Sequence, residues 1–247
     1  MKPVLFSLGA IHLYSYGFCI ALGVLLSLFL MRRFALKKGF PKPDEVFDMA
    51  FMVLVWGFLG ARLFYVVQNF SYYVSEPLKI FAVWEGGLIF YGGAIAGFLG
   101  LVWVAWKKKW SLWKILDFLV PYVALTQAFG RIGCFLNGCC YGKVCDLPWA
   151  VRFPGLPYAV HPAQLYEAFY DIVLFAFLIK RREQVRFEGE IGLLYFLLYG
   201  MGRYTIEFLR EPGWMWMGLT SNQWLSIAIM VVAFVIFQYR RRKAKVS

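Results

Sequence analysis

The chain has 247 residues, of which 61% are hydrophobic, 20% aromatic and only 16% charged, with a mean hydropathy of +0.62. This balance excludes an ordinary soluble globular domain, and five cysteines are too few for a disulfide scaffold. The net charge of +12 would suit a nucleic-acid partner, but only if the basic residues clustered on one face of a soluble fold.

Instead the sequence reads as an all-α polytopic membrane protein with about seven transmembrane helices. Apolar runs of bilayer-spanning length fall near 13–31, 48–68, 87–106, 115–135, 163–179, 190–209 and 222–238. Lys2 makes a weak basic start, and no small-residue cleavage site follows, so the first run is expected to stay attached as a membrane helix. Residues 1–247 form a single integral-membrane domain, with external connections near 69–86, 136–162 and 210–221.

The basic residues give the orientation. Arg32, Arg33, Lys37, Lys38 and Lys42 follow the first run, and Lys107, Lys108, Lys109 and Lys114 the third. Lys180, Arg181, Arg182 and Arg186 follow the fifth, and Arg240, Arg241, Arg242, Lys243 and Lys245 the seventh. Eighteen of the 26 Lys and Arg therefore lie on one side, which the positive-inside rule makes cytoplasmic. The N-terminus is then outside and the C-terminus in the cytoplasm. The bilayer accounts for the net charge, and no nucleic acid is called for.

Three arginines remain inside the runs: Arg62, Arg131 and Arg203, each in the outer half of an inside-to-outside span. Intramembrane cations need partners or a purpose, and three at one depth suit an anion site open to the outer side. A structural ion pair is the simpler use, most readily for Arg62. Glu207 follows Arg203 by four residues, on one helix face, and is placed to neutralise it.

Other polar residues gather at the outer ends. Glu85 opens the third span and can pair an arginine, and Tyr91 can hydrogen-bond a phosphate or accept a proton. Gly93, Gly97 and Gly100 repeat at helical spacing as a packing face. The fourth span runs into Gly130-Arg131-Ile132-Gly133-Cys134-Phe135-Leu136-Asn137-Gly138-Cys139-Cys140-Tyr141-Gly142, where glycines let backbone and ligand approach an arginine. Cys134, Cys139, Cys140 and Cys145 lack a zinc spacing, so small packing residues are the default and no metal is expected. His161-Pro162 opens the fifth span, with His161 near a capping position. Gln164 and Glu167, one turn apart, line a polar cleft or hold an arginine. Tyr16 is at the outer start of the first span, an ordinary place for an interface anchor.

Together these residues resemble the bacterial prolipoprotein diacylglyceryl transferase family. The resemblance covers essentially the whole chain and rests on six stretches in order: Ser15-Tyr16-Gly17, Gly60-Ala61-Arg62-Leu63, Glu85-Gly86-Gly87 through Gly93, Gly130 through Gly142, His161 through Glu167, and Gly202 through Arg210. It implies an inner-membrane enzyme whose active site faces the outer leaflet. That enzyme would move the diacylglyceryl group of phosphatidylglycerol to the lipobox cysteine in a prolipoprotein signal peptide, releasing glycerol 1-phosphate. It implies no cofactor. Family functional positions would fall on Tyr16, Arg131, Gly142, Arg203 and Glu207. The family commonly carries Asn where this chain has Cys134 and Glu where it has Cys139, and some members have His at Tyr91.

On this reading Arg131 and Arg203 stabilise the departing phosphate, and the base for the thiol is Tyr91, His161 or the lipid phosphate. Tyr16, Arg62, Glu85, Asn137, Gly142, Gln164 and Glu207 complete the substrate site. The same arginines would also serve a transporter or channel for an anionic solute, although seven spans do not divide into equal inverted halves. A lipid-binding assembly factor is a third use of the same residues.

Overall fold

A computed structural model describes residues 1–8, 11–83 and 86–246. Helices dominate. They are α1 (Ser15–Lys38), α2 (Pro43–Gln68), the short α3 (Phe70–Ser75), α4 (Phe90–Lys108), α5 (Leu112–Asn137), α6 (Ala163–Arg181), α7 (Glu190–Glu207) and α8 (Ser221–Val246). Among the described residues four helices, α1, α2, α5 and α8, are long and apolar enough to cross a membrane by length and composition. The shorter α6 and α7 carry buried Glu167, Asp171, Glu190 and Glu207, which lower their hydropathy.

Two antiparallel ribbons qualify the all-α expectation: β1 (Val4–Leu8) with β2 (Ile11–Tyr14), and β3 (Met215–Trp216) with β4 (Leu219–Thr220). Chain outside a helix must still pair its backbone groups, and local antiparallel pairing is a short-range way to do so.

The chain divides into two compact units, Met1–Phe29 with Leu116–Ser247, and Leu30–Ile115. In the second unit α2 packs along α4 through small residues. A Cβ on Gly60 would sit 2.1 Å from the Ala96 Cβ and 2.6 Å from the Gly92 carbonyl oxygen. Only glycine permits that approach, which brings the two backbones into direct contact as in small-residue membrane packing.

In the first unit, Val120, Ala124, Leu174, Leu178, Ile191 and Tyr195 form an apolar cluster between α5, α6 and α7. Polar bonds fix the register of these helices. Asp117 on α5 accepts from the Gly189 and Gly192 amides at 2.7 and 2.9 Å, capping the start of α7. The Tyr195 hydroxyl donates to Gln127 Oε1 at 2.7 Å. Ser27 on α1 meets Thr126 Oγ1 on α5 at 2.9 Å. At the start of α8, the Thr220 amide donates to Gln223 Oε1 and the Gln223 amide to Thr220 Oγ1, at 2.9 and 3.2 Å, a reciprocal cap.

Candidate active site

Glu167 is the centre of the polar site in the first unit. It lies on the second turn of α6 and is buried. Its Oε2 is 2.5 Å from Arg131 Nε on α5. Its Oε1 accepts from Arg203 Nη1 on α7 at 2.9 Å and from Arg210 Nη1 at 2.8 Å. One carboxylate therefore gathers three guanidiniums from three parts of the chain.

A second carboxylate holds Arg203 from its other side. Glu207 Oε2 is 2.9 Å from Arg203 Nη2, one helical turn along α7. Glu207 Oε1 accepts from Asn222 Nδ2 at 2.8 Å and Thr220 Oγ1 at 3.1 Å, which ties the end of α7 to the start of α8. Arg210 reaches Glu167 because α7 ends in tight turns: Phe208, Leu209 and Arg210 each donate an amide to the carbonyl three residues back. Asp171, buried one turn beyond Glu167, adds a further acidic side chain.

The paired groups, three guanidiniums against two carboxylates, carry one net positive charge. Arginine presents a planar fork that binds phosphate or carboxylate in a bidentate manner. Arg131 is held at its Nε edge, and among the described residues no second acidic side chain forms an ion pair with it. Such an arrangement positions cations firmly while keeping attraction for an incoming anion.

Gly142 joins three segments beside this cluster. Its amide donates to the His161 carbonyl at 2.9 Å, the Lys143 amide to the Leu209 carbonyl at 2.7 Å, and the His161 amide to the Lys143 carbonyl at 2.9 Å. A Cβ at position 142 would stand 2.4 Å from the Leu209 oxygen and 2.8 Å from the His161 Cβ. Glycine is required here for close approach, and Leu209 immediately precedes the arginine that reaches Glu167.

The other expected residues distribute as follows. Tyr16 begins α1, where its backbone crosses α5 at Gly133: a Cβ there would be 3.1 Å from the Tyr16 Cα. The His161 ring is 3.3 Å from the Tyr166 hydroxyl, which also accepts from Trp149 Nε1 at 2.9 Å. Gln164 is buried; its Nε2 donates to the Cys139 carbonyl at 2.5 Å, and its Oε1 has no hydrogen-bond partner among the described residues. Asn137 ends α5, exposed, with Nδ2 3.6 Å from Cys139 Sγ. The Cys140 thiol is drawn below the ordinary thiol range, chiefly by a hydrogen bond with Cys134, then Cys139, with Arg210 and Arg131 adding to the pull.

Arg62 and Tyr91 belong to the second unit, and Glu85 lies outside the described residues. Arg62 is buried and its donors go to main-chain carbonyls: Nε to Ile80 at 2.9 Å, Nη1 to Gly86 and Gly87 at 2.7 and 3.1 Å, Nη2 to Lys79 and Ala82 at 2.6 and 3.4 Å. The rings of Tyr65 and Tyr73 lie 5.8 and 5.5 Å from its guanidinium carbon. Among the described residues, carbonyl dipoles and no carboxylate hold this guanidinium. Tyr91 is exposed at the start of α4.

One contributor had no role assigned from sequence, and another had a role without its partners. Arg210 lies beyond the last apolar residue of its span and entered only as the last residue of the Gly202–Arg210 stretch. Glu167 stood out as a possible arginine holder, but its sharing by three arginines depends on residues 36 and 43 positions away.

Apolar helices around a half-buried arginine–glutamate network define a helical membrane protein with a polar centre. The sequence comparisons specify which one. Residues 3–239 match the family model for prolipoprotein diacylglyceryl transferase. The chain is similar to the phosphatidylglycerol–prolipoprotein diacylglyceryl transferase of Clostridium tetani, 37% identical over 98% of both chains. It is also similar to that of Geobacter sulfurreducens, 40% identical over 86% of this chain and 83% of the relative. A Streptococcus agalactiae relative of the same name is 32% identical over 100% of this chain and 99% of its own. The chain belongs to the prolipoprotein diacylglyceryl transferase family, a family of membrane-embedded transferases.

Proposed function

We propose that this chain transfers the diacylglyceryl group of phosphatidylglycerol to the lipobox cysteine of bacterial prolipoproteins, at the outer leaflet of the cytoplasmic membrane. The observation that carries the reading to chemistry is the sharing of Glu167 by Arg131, Arg203 and Arg210. Family membership favours group transfer over passage of an anionic solute.

In the proposed reaction the precursor's thiolate attacks the glycerol carbon that bears the phosphate ester. A carbon–sulfur bond forms, the carbon–oxygen bond breaks, and its electron pair leaves on the phosphate oxygen of glycerol 1-phosphate. Arg131 and Arg203 meet the charge that grows on that phosphate. Donors already oriented in a water-poor site need little reorganisation as the reaction proceeds. Glu167 and Glu207 set the direction of the guanidinium forks. The thiol proton goes to His161, Tyr91 or the lipid phosphate. Tyr16, Asn137, Gly142 and Gln164 shape the substrate site around the arginines.

The topology that goes with this reading has seven spans, an external N-terminus and a cytoplasmic C-terminus. Thiols introduced at 107–114 and 180–189 should escape an impermeant reagent on whole cells, while those at 150–158 react; the reverse pattern defeats the orientation. The direct test incubates purified protein with labelled phosphatidylglycerol and a lipobox peptide. Lipidated peptide together with released glycerol phosphate is expected. Lipid binding without product, or anion flux in vesicles without product, rejects the transferase reading.

A further inference from the structure

We infer that Cys134, Cys139 and Cys140 form an open three-sulfur site for a soft, thiophilic cation, Cu(I) in particular. In sequence four residues separate the first two and the last two are adjacent, unlike a zinc motif. In space their sulfurs all lie within 4.8 Å of one another, with those of Cys139 and Cys140 3.6 Å apart. Three sulfurs surrounding one ion at a metal–sulfur distance of about 2.3 Å stand roughly 4 Å from each other, so little movement is needed to close on an ion.

The chain is bent to bring them together. Cys134 lies on the last turns of α5, and Gly138 and Cys140, at φ of 76° and 65°, turn the exit back over it. Cysteine is uncommon at positive φ, where its Cβ is crowded. Two bonds hold the turn: the Cys139 amide donates to the Cys134 carbonyl at 3.2 Å, and the buried Gln164 Nε2 donates to the Cys139 carbonyl at 2.5 Å.

The donor set selects the ion class. Thiolates favour soft cations, whereas structural zinc takes four ligands. Among the described residues no His, Asp or Glu joins the three sulfurs. Three thiolates with a monovalent ion leave two negative charges, and the attraction of Arg131 and Arg210 for Cys140 offsets part of them. Cys140 is exposed and Cys134 buried, so an ion enters from the surface and is held from below. Binding displaces thiol protons to solvent and requires no oxidant or reductant.

The test titrates reduced, full-length protein in detergent with Cu(I) held by a chromogenic chelator. One equivalent per chain should leave the chelator, and X-ray absorption should show three sulfur neighbours. Cys140→Ser and Cys139→Ser should each weaken retention by more than about tenfold, since even outer-shell changes at metal sites cost that much. Cys19→Ser and Cys145→Ser, outside the group, should leave it unchanged. Circular dichroism reports folding; if the double variant loses helix, the exposed Cys140→Ser change decides. Failure to retain one equivalent, or equal retention in the folded double variant, overturns the assignment. So does a chain that mass analysis shows to have lost two hydrogens to a disulfide under the same reducing conditions.

Discussion

The two compact units each contain a buried or half-buried arginine site, and they solve the same problem differently. In the Leu30–Ile115 unit, Arg62 spends its donors on five backbone carbonyls. Carbonyls are fixed by the chain, so that guanidinium becomes part of the scaffold and closes the turn after α3 onto α2. In the other unit, Arg131, Arg203 and Arg210 rest on side-chain carboxylates. Shared carboxylates leave excess positive charge and orientable forks. A cation held by main-chain dipoles is suited to folding; cations held by too few carboxylates are suited to an anion.

The sharpest test of that contrast is Arg→Lys in both units. At position 131 or 203, lysine keeps charge but loses the fork. Losing one charge-assisted contact to a developing anion costs on the order of 3 kcal/mol, about a hundredfold in initial transfer rate at saturating lipid. Thermal stability should change little. Near-normal rates in both variants would reject phosphate clamping. At position 62 the pattern should invert: loss of part of the carbonyl bonding costs about 2 kcal/mol of stability, with the rate per folded molecule kept within severalfold.

Smaller effects should separate the two glycine contacts. Gly142→Ala pushes against the Leu209 carbonyl, one residue before Arg210, whereas Gly60→Ala pushes α2 from α4. Overpacking of this kind costs about 1–3 kcal/mol. Both variants should melt earlier, but only Gly142→Ala should also slow transfer per folded molecule. Equal rate losses would mean that Gly142 acts through stability alone.

The smallest effect is expected at the cysteines. Cys139→Ser with Cys140→Ser should retain substantial transfer activity without added metal, because the proposed step assigns these thiols no bond to make or break. Near-total loss at normal protein level would place a thiol or disulfide in the reaction.

Much of the architecture was already determined by local sequence. Long apolar runs require internally bonded backbone, hence helices, and the positions of Arg203 and Glu207 put them on one face of α7 at any tertiary arrangement. Gly93, Gly97 and Gly100 announced a close-packing face on α4 for the same reason. Only the tertiary structure decided which arginines share a carboxylate. The sequence grouped Arg62 with Arg131 and Arg203; folding placed Arg62 among carbonyls and brought Arg210 to Glu167 instead. It also gathered three cysteines whose linear spacing suggested no site. Helical periodicity is set within a few residues, whereas charge sharing depends on where separate helices end and how their connections turn.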